Sequence, residues 1–196
     1  KGVGSIFHVG DDVTAVVGDI EIPSRITVNE ILVVKGRLKV GASCRILRNV
    51  KAMKDIEIGA NTIVGGNLVS GGRVVLQKGV TVKGKINAHK GLSAGMRTIL
   101  KSSIIVEGDA EIHGSSKILG NMLIRGGRTV IGPNSIIYGS IESDGAIKID
   151  KNSVIKGSVY SKSSVTLHKS VRVCQRVNAE NGAFIRAYVK RRGNHG

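Results

Sequence analysis

Histidine, cysteine and an excess of cationic side chains are the groups in this sequence with chemistry to offer. A histidine set in a cleft could serve as the general base of an acyl transfer, and three converging histidines could hold zinc. The five histidines, His8, His89, His113, His168 and His195, are dispersed, and no two are close in sequence. Cys44 and Cys174 are equally isolated, whereas thiolate metal sites need clustered ligands. Lysine and arginine number 30 against 14 acidic residues, a formal charge of +16. Such a balance attracts anionic lipid, acidic polymers or nucleic acid. Aromatic residues are only 3% of the chain, so stacking platforms for bases are nearly absent and no specific nucleic-acid recognition is expected.

The elements that must position these groups are set by a six-residue repeat. Val80-Thr81-Val82-Lys83-Gly84-Lys85-Ile86 alternates apolar and polar residues around a glycine, and steps of six restate it: Val74, Leu76, Lys78; Ile86, Ala88, Lys90; Leu92, Ala94, Met96. The register holds on even numbers from Ile20 to Gly126, shifts to odd numbers with one extra residue near Gly127, and runs on to Ala183, Ile185 and Ala187. A repeat of this extent decides the architecture. Period two is the signature of strand. A small residue every sixth position marks a bend, with glycine's tolerance of positive φ as the expected reason.

Short strands with regular bends bury one face indefinitely only by coiling. Three sides make a triangular coil, and coils stack as parallel sheets. The predicted fold class is therefore all-β, a single triangular parallel β-helix (solenoid) of about ten 18-residue coils. The predicted organisation is a lead-in over residues 1–13, the β-helix over 14–187 and a basic polar tail over 188–196. One side carries Ile20, Leu38, Ile56, Val74 and their successors to Ala183 inward; its second inward column runs from Ile22 to Ile185. The next side carries Cys44, Thr62, Val80, Thr98, Ser116 and their successors, paired with Ile46, Val64, Val82, Leu100 and Ile118. The column Glu30, Arg48, Gly66, Gly84, Ser102, Gly120 must be a corner, because a buried unpaired Arg or Glu would cost several kcal/mol.

Several classes are excluded on the same footing. A 41% hydrophobic content argues against disorder. No run of eighteen apolar residues exists, so no transmembrane helix is expected. The register places Cys44 inward and Cys174 outward, about seven coils or roughly 33 Å apart, far beyond the 7 Å limit of a disulfide.

The steps Val82 to Ile86, Ile137 to Ile141 and Ile155 to Val159, with the ending Glu180-Asn181-Gly182-Ala183-Phe184, resemble the bactofilins, polymer-forming cytoskeletal proteins of bacteria. The resemblance covers roughly residues 16–187. It implies a right-handed β-helix that polymerises end to end, without nucleotide, into non-polar filaments, with Phe184 at the longitudinal contact. The expected partner is then the chain itself, with no enzyme activity, cofactor, metal or small-molecule substrate. The expected compartment is the cytoplasm, with membrane association as an addition; a cell-surface filament stays open because the chain starts at Lys1 without Met.

Elementary physics points the same way on one matter. An uncapped β-helix presents unpaired strand edges and an open apolar cross-section, which soluble proteins normally cover. Ile6, Phe7 and Val16 at one tip, and Ala183, Phe184 and Ile185 at the other, are the groups expected at a longitudinal contact; the alternative is that they fold back over their own ends. Outward apolar residues form a candidate lateral stripe: Ile63, Ile99, Ile136 and Val154 in one column, Leu47 and Leu119 beside it. The alternative there is plain strand propensity. Lys35, Arg37, Lys39, Lys83, Lys85, Lys190, Arg191 and Arg192 are the candidate contacts for an anionic membrane surface or acidic polymer.

Two rival functions share this architecture. Hexapeptide-repeat acyltransferases and carbonic anhydrases are triangular β-helices, and Ile58-Gly59-Ala60-Asn61-Thr62 and Ile131-Gly132-Pro133-Asn134-Ser135 fit their style. Against that reading, the register admits no excursion loop, and His89, His113 and His168 fall on outward slots of different coils. The other rival is a basic β-helix that binds anionic polymer or membrane without polymerising.

Overall fold

The computed structural model of the chain describes residues 4–186, which form strands and turns without a helix. The strands are two to five residues long and stack into three sheets of eleven, nine and ten strands. Sheet A begins with Ser5–Val9 and Val13–Val17, sheet B with Ile20–Ile22 and sheet C with Thr27–Val28. The chain visits A, B and C in turn and returns to A one coil further on. Each strand after the first pairs in parallel with the strand one coil away, as Ile56 does with Leu38 and Val74. The fold is a β-solenoid of about ten turns with 18-residue spacing.

Stacking by identical register explains why so few aromatics suffice. Val74, Leu92 and Ala110 lie above one another in sheet B; Ile46, Val64, Val82 and Leu100 do so in sheet C; all are buried. Each aliphatic side chain packs on a copy of itself one strand spacing away, about 4.8 Å. Polar groups enter this interior only in satisfied ladders. The Cys44 N–H donates to Thr62 Oγ1 at 3.0 Å, and Thr62 Oγ1 donates to the Gly41 carbonyl at 2.9 Å. Ser116, Ser135 and Ser153 continue the ladder, each hydroxyl accepting from the N–H one coil earlier. Among the described residues no buried side-chain nitrogen or oxygen lacks a partner.

The bends differ from expectation in their cause. The left-handed backbone recurs once per coil at Arg25, Ser43, Asn61, Gly79, Arg97, Ser115, Asn134 and Asn152, with φ between 57° and 70°. Only one of these is glycine, so positive φ is not what the glycine-rich column supplies. Gly84, in that column, has ordinary φ but sits where an added Cβ would run into the Gly66 and Asn67 backbone below. At Gly84 the corner closes so tightly between coils that only hydrogen fits, whereas Arg48 and Ser102 carry side chains at other coils of the column. The same corner is tied by side chains: Asn49 Oδ1 accepts the Asn67 N–H and Asn67 Oδ1 accepts the Lys85 N–H, at 2.8 and 2.9 Å.

The extra residue falls at Gly126. Glu107 pairs with Arg125 at the usual offset, but Thr129 pairs with Ala110 and Ile141 with Met122, one residue further on. Gly126 bulges outward at φ 75°, nothing lying where its Cβ would stand, and its N–H donates to Asp144 Oδ2 at 3.0 Å.

The amino-terminal segment, expected as a lead-in, is an added strand. Ser5–Val9 runs antiparallel to Val13–Val17, with Ile6 opposite Val16 and Phe7 opposite Ala15. The solenoid pairing itself already includes Val13, opposite Ile31.

Candidate functional site

The two tips are built differently. At the carboxy-terminal tip the inward columns lose their cover. Ile149 is buried, Leu167 one coil on is partly exposed, and Ile185, in the same column, is 74% exposed. Val177, Ala179 and Ala183 are likewise open to varying degrees. Phe184 points outward from the last strand of sheet B, opposite Thr166, 56% exposed with its ring edge against Gly182. Strands Arg172–Val173, Val177–Ala179 and Ala183–Arg186 each have one unpaired edge among the described residues.

At the amino-terminal tip the hairpin covers the edge of sheet A alone. Val16, expected at the contact itself, is fully buried: Gly4 packs directly over it and the Ser5–Val9 strand pairs alongside. Ile6 and Phe7, each 53% exposed, are the outermost apolar groups. The outer edges of Ile20–Ile22 and Thr27–Val28 carry no described strand, and Ile26, whose column is buried from Cys44 to Ser153, is exposed there.

The lateral residues come together as expected on sheet C. Ile63, Ile99, Ile136 and Val154 stand in one outward column, interrupted by Thr81 and Lys117. Leu47 and Leu119 lie two residues along, in a column that also holds Tyr138, whose ring receives the Lys117 ammonium at 5.4 Å. The large hydrophobics that remain exposed are at the tips or on this face, Met53 excepted.

The predicted cations do not form one surface. Lys35 lies on sheet A, Arg37 at the corner after it and Lys39 on sheet B, because consecutive outward residues turn a corner. Lys39 pairs with Glu21 at 3.5 Å and Arg37 reaches Asp55 at 4.0 Å. Lys85 leads into sheet A, and Lys83 alone of this group stands on the sheet C side. Lys190, Arg191 and Arg192, with the rest of the tail and His195, lie outside the described residues.

Sequence reasoning missed how the charge is divided. The sheet C face carries Arg45, Lys117 and Arg172 in its central column and Lys83, Lys101 and Lys156 in the next. Its leading turn adds Arg25, Lys78, Arg97, Lys151 and Lys169, and its trailing corner Arg48. These twelve exposed cations share the face with two carboxylates, Glu30 and, one coil earlier in the same column, Asp12. Everywhere else on residues 4–185, thirteen Lys and Arg stand against twelve Asp and Glu. Of the twelve, only Arg48 has an ion pair among the described residues, to Asp12 at 2.7 Å. Acidic residues instead meet cations elsewhere: Asp144 with Lys162 at 2.8 Å on sheet A, Asp109 with Arg128 at 3.7 Å at the A–B corner. The Lys162 hydrogen bond and the Gly126 N–H hold the Asp144 carboxyl below its ordinary value, and Asp144 in turn raises Lys162.

The four histidines among the described residues each meet a local partner. His89 faces Glu107 at 3.6 Å, His113 faces Glu111 at 3.4 Å, and His168 Nδ1 shares a 2.7 Å hydrogen bond with Ser170. His8 reaches Thr14 at 3.3 Å within the hairpin. No group of three potential metal ligands occurs among the described residues. An open depression of about 230 Å³ lies at the A–B corner between Arg37, Met53, Asp55 and Lys90. It is smaller than the roughly 300–1,000 Å³ typical of ligand pockets. No helix among the described residues is long and apolar enough to cross a membrane.

The fold defines the chain as a parallel three-sided β-solenoid. Compared with family models, curated proteins and solved structures, it matches none.

Proposed function

We propose that this chain is a structural, non-enzymatic protein that assembles end to end, without nucleotide, into non-polar filaments serving as a cytoskeletal or fibre-like scaffold. The observation that carries the reading is the carboxy-terminal cross-section. Ile185 occupies a column that is buried along the solenoid, yet is 74% exposed where the column stops. Another copy placed on that tip returns the side chain to the buried environment its column has from Ile22 to Ile149 and pairs three strand edges at once. Burying a large aliphatic side chain contributes about 1.5–3 kcal/mol, so a contact including Ile185, Phe184 and Val177 is worth several kcal/mol before edge pairing is counted.

The non-polar arrangement is supported by the difference between tips. A two-fold axis at a tip joins like edges in antiparallel directions, and an antiparallel edge is what the Ser5–Val9 strand already makes with its neighbour. The bactofilin resemblance in the sequence points to the same assembly. A filament of this kind lies in the cytoplasm, where its repeat spacing can organise other components.

The test is pelleting at high speed without nucleotide, on the native chain and on F184R and I185R. The native chain sediments; both variants stay in the supernatant with an unchanged β signal in circular dichroism. Sedimentation of both variants at native levels would place the contact elsewhere.

A further inference from the structure

From the division of charge we propose that the sheet C face docks flat onto an anionic lipid surface, and that the excess of cations on this face serves the docking. A solenoid needs outward polarity on all three faces, but not one sign on one of them. Twelve cations and two carboxylates on sheet C, against a near balance on the rest of residues 4–185, is a directed field. Eleven of those cations have no ion pair among the described residues. The face is nine strands long, about 38 Å at one strand spacing per step, and its side chains stand on short, straight strands.

The apolar residues select among anionic partners. Ile99, Ile136, Leu119, Leu47 and Tyr138 are exposed between the cations. A phosphodiester backbone or a soluble polyanion gives such side chains nothing. The boundary between headgroups and acyl chains accepts them, while phosphates meet the ammonium and guanidinium groups around them. A second copy of the chain is a poor partner, because no other face offers the complementary excess of carboxylates. The lateral stripe of Ile63, Ile99, Ile136 and Val154 thus belongs to a membrane-facing surface, since a like face would be repelled. The face is complete on one chain, so the inference does not rest on polymerisation; a filament would multiply it along its length.

The test uses vesicles of pure phosphatidylcholine or of phosphatidylcholine with phosphatidylglycerol, floated through a density gradient so that filaments do not pellet with them. The native chain floats with the anionic vesicles only, less as salt rises. K83E/K101E/K117E weakens flotation on the order of 100-fold or more, at about a factor of five or greater per charge near the surface. R125E/K51E/K148E, with the same change in net charge on sheets A and B, stays within about threefold of native. I99S/I136S floats at low salt but is lost at a salt concentration the native chain withstands. Should charge reversal unfold the chain, the Gln versions at the same positions (Lys→Gln, and Arg125→Gln) give the same comparison. Equal loss in both charge triples, binding to neutral vesicles, or competition by soluble duplex DNA unaffected by I99S/I136S would each overturn the proposal. Electron microscopy of the same variants keeps filament formation as a separate readout.

Discussion

Arg97 has φ 57°, in the left-handed region that costs a side chain other than glycine, asparagine or aspartate roughly 1–2 kcal/mol. Asn61, Asn134 and Asn152 fill the same column, and Asn152 Nδ2 donates to Asn134 Oδ1 at 3.2 Å. Arg97→Asn should therefore stabilise the chain by about 1 kcal/mol, read as a higher denaturation midpoint. Gly84→Val should do the reverse, since its corner has no room for a Cβ. Asp144 and Lys162 give a pH signature. The lowered carboxyl contributes fully above its ordinary 3.8 and is lost as pH falls through the depressed value. The raised ammonium contributes fully below 10.5 and is lost as pH rises through the elevated value. The melting-temperature difference between native protein and D144N should be constant between those limits and shrink outside them; both groups are exposed, so it is small throughout. Cys44 is buried and Cys174 exposed, so a thiol reagent should label one cysteine in the native monomer and two after denaturation.

Each strand is too short to be stable alone and gains its stability from the strands above and below. Leu100, stacked between Val82 and Ile118, shows the consequence: Leu100→Ala should cost about 2–5 kcal/mol in urea denaturation, because a cavity there unseats both neighbours. This level of structure was the most legible in the sequence. The columns from Ile20 to Ala183 and from Ile22 to Ile185 could be counted off, because one buried position per coil tolerates only aliphatic or small residues. Two features escaped the count. The Ser5–Val9 hairpin lies outside the hexad register, although Gly10-Asp11-Asp12 between two apolar stretches is a turn signal. The left-handed column was hidden behind glycine, whereas three asparagines at coil spacing were the better sign.

Across the whole molecule, tips and faces expose different groups. The sequence located the tip residues Phe184 and Ile185 and the stripe on sheet C, since both follow from register. It did not separate the cations, since neighbours such as Lys35, Arg37 and Lys39 look like a cluster until the chain turns and sends them to different faces. Carboxy-terminal tips that meet about a two-fold axis passing by sheet C bring two copies of Cys174 close, because the residue follows the last strand of sheet C. A short bis-maleimide should therefore link filaments into dimers through Cys174 and fail to link I185R. A head-to-tail filament would yield monomer in both cases.

Negative-stain electron microscopy of the purified chain, without nucleotide, is the most direct measurement of assembly through open tips. Unbranched filaments one solenoid wide are predicted, with none in F184R or I185R. A field of separate short rods from the native chain, at concentrations where it remains folded, would contradict the account.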